Sequence, residues 1–479
     1  MPELTYRRRM LILGICCMSL LIVSLDNTIL NVALPSMQKE FHSSISGLQW
    51  TIDAYLIVLA SLLMLAGATA DRVGRRVTFQ TGLAIFTLGS LLCSLAPSLG
   101  WLIAARIVQA IGGCMLNPVA MSIITNVFTD PRERARAIGV WGGVVGLSMA
   151  AGPVVGGLLV ETVGWRSIFW INLPIGLAAL VLTALYVPES RAPRPRRPDP
   201  VGQLLMIVLL ASLTYTIIEG PSKGWTTPVI LTTAGLAALA LAGFVAYERR
   251  RTEPLIDLRF FRSTPFSGAT LIAVCAFASL GGFLFLNALY LQDVRGLSAL
   301  HAGLYMLPMA AMAGICAPLS GRMIGSYGPR VSLQIAGVGM AASGLMFAVF
   351  EAETSTPLLF VAYVLFGIGF GMVNAPITNT AVSGMPRSQA GVAAAVASTS
   401  RQIGQGLGVA VIGAVLSSSA ASALSTTSYA DASRPAYWII AGCGVAVLVL
   451  GTLTTGRRAQ ATAAHTAALF EPGENKVPV

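Results

Sequence analysis

The chain has 479 residues, 55% of them hydrophobic and only 11% charged, with a formal net charge of +11 and a mean hydropathy of +0.75. A soluble domain carries about 25% charged residues, so a water-soluble protein folded around one core is excluded. The positive charge does not point to nucleic acid either: the arginines sit in short clusters between apolar runs, without one continuous basic surface or interleaved aromatics.

Apolar runs long enough to span a bilayer recur throughout. In chain order they cover 10–33, 48–70, 77–96, 101–124, 137–160, 168–187, 201–218, 229–247, 266–290, 300–323, 331–350, 357–379, 391–416 and 435–455, which predicts an all-α polytopic membrane protein with fourteen transmembrane helices. The ten-residue alternation of a membrane β-barrel is missing. Arg7, Arg8 and Arg9 before the first run mimic a signal peptide, but the run is long enough to span and contains Asp26, so it reads as an uncleaved first helix. The seven cysteines all fall inside apolar runs and the three histidines are scattered, so neither a disulfide framework nor a metal centre is implied.

Asp26 is the first residue that a passive anchor would not carry. It sits in LDNTILNVALP (25–35) with Asn27, Thr28 and Asn31 nearby. A carboxylate at that depth must be protonated, paired or facing a water-filled cavity; the plainer alternative is a carboxylate bonded to its polar neighbours as packing glue. At 1.5 Å per residue, Asp26 lies roughly 10 Å from the far edge of span 1, and Asp53 and Arg106 lie roughly 8 Å inside spans 2 and 4. Two carboxylates and a guanidinium are therefore expected in one layer, with Asp53 nearer the surface than Asp26 and Gln109 one turn beyond Arg106 on the same face. That is either a proton relay or a static buried salt bridge. Arg401, ten residues into span 13, lies too deep to snorkel, and should face a central cavity or cap carbonyls of a neighbouring helix.

Orientation follows from the loops. With both termini in the cytoplasm, 24 of the 31 basic residues lie inside, five (Lys39, Arg166, Lys223, Arg295, Arg434) lie outside and two (Arg106, Arg401) lie within spans.

The chain also repeats itself. GATADRVGRR (67–76) after span 2 reappears as GRMIGSYGPR (321–330) after span 10, and the same offset maps span 4 onto span 12. Repeated halves with a site between them are a common transporter plan. The expected layout is a six-helix half at 1–187, a cytoplasmic linker rich in proline and arginine at 188–200, two additional spans and a loop at 201–265, a second six-helix half at 266–458, and a disordered tail at 459–479. In the first loop, Gly67 and Gly74 permit a tight turn. Asp71 can there pair with one of Arg72, Arg75 and Arg76, or meet the N-terminus of span 11; Gly325 replaces it in the second copy. In span 5, Gly142, Gly146, Gly152, Gly156 and Gly157 surround Pro153, so a second helix can approach closely and the helix can bend.

Together with RIVQAIGG (106–113), SMAAGPVVGG (148–157), GWRSIFWINLPIG (164–176) and RQIGQGLGVA (401–410), these motifs resemble, over nearly the whole chain, the fourteen-span drug:proton antiporters of the major facilitator superfamily. Ala110 and Ser148 stand where that family commonly has glycine. The resemblance implies a major facilitator fold and a bacterial plasma (inner) membrane location. It also implies Asp26 and Asn31 as the polar members of the first-helix motif, the 67–76 loop as a cytoplasmic gate, and span 5 as an antiporter hinge that blocks leakage. With the buried charges picked out by depth, the candidate proton-coupling or substrate residues are Asp26, Asn31, Asp53, Arg106, Gln109 and Arg401.

The expected activity is proton-coupled export of small amphipathic drugs or antibiotics by alternating access, by a non-enzymatic monomer whose partners are its substrate and the bilayer, with protons as coupling ion and no cofactor. No GxxxxGK[ST] loop is present to bind a nucleotide. A metabolite transporter on the same fold and a non-transporting membrane sensor remain as alternatives.

Overall fold

A computed structural model describes residues 5–192, 198–251, 253–350, 354–383, 385, 389–418 and 426–470. Backbone groups in hydrocarbon must satisfy one another within a segment, and the described residues accordingly form helices and turns, with no strand. In the first half these are α1 (Tyr6–Phe41), α2 (Ile45–Val73), α3 (Arg75–Ser94), α4 (Leu99–Val127), α5 (Pro131–Thr162), a short α6 (Ser167–Trp170) and α7 (Asn172–Tyr186). Two further helices follow, α8 (Pro200–Lys223) and α9 (Pro228–Glu248). The second half holds α10 (Thr264–Leu289), extended by a π-helical turn at Tyr290–Val294, then α11 (Ala299–Tyr305), α12 (Leu307–Tyr327), α13 (Pro329–Ala348), α14 (Thr356–Val382), α15 (Ala390–Ser418), α16 (Thr426–Thr454) and α17 (Arg457–Ala468).

Local sequence sets the helix ends. Ser44, Ser98, Asp130 and Asp199 each accept a backbone N–H of the following first turn, which satisfies donors the helix leaves orphaned. The turn between α2 and α3 is a single residue, Gly74, at φ 130°. A side chain is strained at that angle.

Thirteen of the described helical segments are long and apolar enough to cross a membrane. The fourteenth expected span is α15, a helix of 29 residues that fails on apolarity because it carries Arg401, Gln402 and Gln405. It tolerates them because protein covers it: α2, α8, α10, α14 and α16 all pack on it. One correction concerns the tail, which is not disordered from 459. Its alanine-rich start forms α17, and Phe470 beyond it packs on Phe260, with the ring centroids 5.2 Å apart. Residues 471–479, the linker core 193–197 and Arg387 lie outside the described residues.

The repeat is visible in the packing. α3 lies on α4 as α13 lies on α14, α2 on α4 as α12 on α14, and α1 on α5 as α10 on α15. The halves meet along two equivalent seams, α2 against α15 and α5 against α11 and α12. Both seams are tightest at the face opposite the chain termini. There Gln49 Nε2 donates to the carbonyls of Val409 and Ala410 at 3.0 and 2.8 Å, Gln292 donates to the Val32 carbonyl, and Lys39 lies 3.6 Å from Asp293. Towards the termini face the glycines of α5 and α12 have open space beside them: a Cβ added at Gly139, Gly142, Gly143, Gly321 or Gly325 would meet nothing within 4 Å.

Candidate functional site

The polar residues predicted inside the first half do converge, on a network that five elements build. Arg106 of α4 donates through Nη1 to Asp26 Oδ2 of α1 at 2.5 Å and to Gln109 Oε1 at 2.6 Å, and through Nε to the Thr51 carbonyl of α2 at 3.3 Å. Gln109 Nε2 donates to Asp26 Oδ1 at 2.8 Å and to Ser90 Oγ of α3 at 2.9 Å. Asn172, the first residue of α7, donates to the same two oxygens at 3.3 Å. The guanidinium carbon lies 4.2 Å from the centroid of the Tyr55 ring. Arg106 is 1% exposed and Asp26 4%. In this low dielectric the two charges are held by each other and by the bonds that Gln109, Asn172 and the Thr51 carbonyl add.

Asp53 does not join this network. The expected layer of two carboxylates sharing one guanidinium is divided, because Thr51 and Asp53, two residues apart, leave α2 on different sides. The Thr51 carbonyl turns into the half, whereas Asp53 turns towards the seam, where a Cβ on Gly406 of α15 would stand 3.4 Å from its Oδ1. Asp53 is 0% exposed, and neither carboxylate oxygen has a hydrogen-bond partner. An ionised carboxylate in that setting would be uncompensated, so this packing accommodates the neutral carboxyl.

The remaining predicted residues separate. Asn31 is buried and, among the described residues, its side chain bonds only to the Asn27 carbonyl of its own helix, at 3.1 Å. Of the two settings open to Arg401, the structure has capping: Nη2 donates to the Asn374 carbonyl of α14 at 3.3 Å and to Thr378 Oγ1 at 2.5 Å.

In the 67–76 loop, Asp71 pairs with Arg75 at 2.9 Å. The loop is tied to its own half: Arg75 N–H donates to the Ser190 carbonyl, Arg76 Nη2 to the Ala184 carbonyl, and the Arg76 and Val77 amides to Glu189. Gly67 has open space beside it and the Arg72 side chain is exposed. Among the described residues no hydrogen bond or ion pair links this loop to the second half.

The glycines of α5 serve two contacts. Gly152 and Gly156 abut Thr28 and Ile29 of α1, whereas Gly157 faces Ala299 and Leu300 of α11, where a Cβ would come within 2.5 Å of the Ala299 carbonyl. The Pro153 carbonyl approaches Gly303 just as closely, and Gly146 comes near Gly314. α5 itself runs unbroken through Pro153.

Sequence reasoning missed Ser90, Thr51, Tyr55 and Asn172 as members of the buried network. Asn172 alone had a signal, its place in GWRSIFWINLPIG. The others look like ordinary helix residues until α2 and α3 are packed on α4.

The family model of the Major Facilitator Superfamily matches residues 16–409. The multidrug resistance protein Stp of Mycobacterium tuberculosis is 39% identical over 410 residues, covering 86% of this chain and 76% of that protein. The tetracenomycin C resistance and export protein of Streptomyces glaucescens is 38% identical over 400 residues, covering 83% and 74%. Among solved structures, a bacterial homologue of the human lysosomal transporter Spinster, in an inward-facing and unoccupied conformation, aligns over 96% of this chain and 99% of its own with a TM-score of 0.66 at 20% identity, a likeness of fold. The matched family, the internal repeat and the two-seam packing agree: this chain belongs to the Major Facilitator Superfamily and is a multi-pass membrane transporter, not an enzyme.

Proposed function

We propose that this transporter is a proton-coupled exporter of small amphipathic drugs or antibiotics, working by alternating access across a bacterial plasma membrane with both termini in the cytoplasm. The observation that carries the reading is Asp53, a carboxyl group buried without any partner on the seam between the halves. When the halves rock, the surroundings of Asp53 change more than those of any residue inside one half. In the arrangement described, the halves are bonded to each other at the face opposite the termini, so a neutral Asp53 took up its proton when this end of the seam stood open to the outside and releases it to the cytoplasmic side once the seam has closed over it. The geometry favours Asp53 over Asp26 as the proton carrier, because Asp26 is already neutralised by Arg106 inside one half. One charge moved across the membrane is worth roughly 2.3 kcal/mol per 100 mV, enough to drive export against a gradient without nucleotide.

The Asp26–Arg106–Gln109 network then holds α1, α3, α4 and α7 together as a body, so that rocking is rigid. The names of the relatives support the substrate class. The transporter functions as a monomer, with the bilayer and its substrate as partners, protons as coupling ion and no cofactor. The test is proton movement in proteoliposomes on addition of a panel of cationic and neutral amphipathic compounds. Compound-dependent proton flux opposite in direction to the compound is expected. Flux in the same direction would make the protein a metabolite importer, and no flux with any compound would remove the coupling.

A further inference from the structure

The helix pair α8–α9 has no counterpart in the repeat, and the mechanism above does not use it. α8 packs on α2 of one half and on α15 of the other, so it lies over the seam where those two meet. The two contacts differ in kind. Towards α2, hydrogen bonds hold α8 near both of its ends: Gln203 Nε2 donates to the Ser61 carbonyl, and Trp50 Nε1 donates to Glu219 Oε1 at 2.9 Å. Trp50 also packs on Tyr215, with ring centroids 6.0 Å apart. Towards α15, no hydrogen bond or ion pair joins described residues. Leu210 and Thr214 of α8 instead share a mainly apolar crevice whose other lining residues include Gln402, Ile403 and Leu407 of α15 and Leu56 of α2. Directional bonds in a low dielectric resist displacement, whereas an apolar contact between packed helices can shear.

The two seams therefore present different surfaces to the bilayer. Among the described residues α15 has no exposed large apolar side chain and α2 has only Val73, at its end. On the other seam α5 exposes Val140, Leu147 and Leu158, and α12 exposes Ile315 and Leu319. The low apolarity of α15 has the same explanation, since α8 stands between part of it and lipid.

We infer that α8 and α9 travel with the N-terminal half as one body and form a sliding wall over the α2–α15 seam, leaving the α5–α12 seam as the side from which a compound dissolved in the bilayer reaches the interior. The inference rests on the rocking of the halves proposed above. Three double-cysteine variants of the full chain in proteoliposomes test it, each treated with a short, reducible thiol-to-thiol cross-linker beside the parent chain with its native cysteines. Linking Ser61→Cys to Gln203→Cys joins α2 to α8 and should leave transport unchanged. Linking Leu210→Cys to Ile403→Cys joins α8 to α15 and should lower transport by roughly tenfold or more, since a conformational step is blocked, with recovery on reduction. Linking Gln49→Cys to Val409→Cys joins the halves directly and should block as well. If the third link blocks but the second does not, or if the first one blocks, α8 does not travel with the N-terminal half and the inference is overturned while rocking stands. If the third link leaves transport intact, rocking itself falls, and the sliding wall with it.

Discussion

Arg106 Nη1 stands 2.5 Å from Asp26 Oδ2, and Gln109 bonds to both side chains. Removing one partner of a buried pair leaves the other charge uncompensated and costs about 3–5 kcal/mol. Arg106→Ala is therefore expected to lower the thermal unfolding temperature in detergent and to abolish transport. Arg106→Lys restores the charge without the fork that also reaches the Thr51 carbonyl, so its recovery should be partial. Unfolding temperatures equal to that of the parent in both variants would show that the pair does not hold the half together.

Asp53 predicts the opposite balance. With no partner to lose, Asp53→Asn should change stability by less than about 1 kcal/mol, yet it should uncouple proton flux from compound movement while downhill movement survives. Asp26→Asn, which strands Arg106, should unfold at lower temperature. Compound-dependent pH change in vesicles checks the first part, and full coupling in Asp53→Asn would return the proton to Asp26.

The α5 glycines separate into tight and open positions. Gly157→Val places branched carbons against the α11 backbone and should hinder closure of the distal face, slowing transport. Gly142→Ala, with open space around it, should be neutral in transport and stabilising by about 0.5–1 kcal/mol. Transport at matched expression reads both; equal effects would mean that close approach at Gly157 is unimportant.

At the termini face, Asp71→Asn removes the Arg75 pair, and should reach the membrane in normal amount but turn over slowly. Arg76→Ala, which releases the Ala184 carbonyl, should cost more activity than Arg330→Ala in the second copy of the motif. Initial rates in vesicles decide the order, and a larger loss in Arg330→Ala would reverse it.

Orientation is checked by reporters. A fusion near residue 190 should read cytoplasmic and one near Trp225 external. The reversed pair would turn the molecule over in the membrane and exchange the open and closed faces.

Much of the fold was legible because a bilayer leaves few choices. An apolar run of sufficient length must become a helix, although the capped starts after Ser44 and Asp130 lie three and six residues before the runs read at 48 and 137. The repeat, read from GATADRVGRR and GRMIGSYGPR, already implied two matching halves. Span 13, expected at 391–416, is there as α15 despite its polar residues, because neighbouring helices cover it. The reading of elements failed at the tail, where α17 folds although composition alone suggested disorder.

For the candidate site, the residues by themselves determined which charges are buried and roughly how deep, since depth follows from counting along a helix. Depth places Asp26, Asp53 and Arg106 in one layer, but it says nothing about azimuth. Only the tertiary structure decided that Arg106 binds Asp26 with Gln109 and Asn172, and that Asp53 faces Gly406 across the seam. The reason is geometric: a helix turns by about 100° per residue, so two side chains at one depth can point into different bodies. Which body each joins depends on how the helices are packed, and that arrangement is set by contacts hundreds of residues apart.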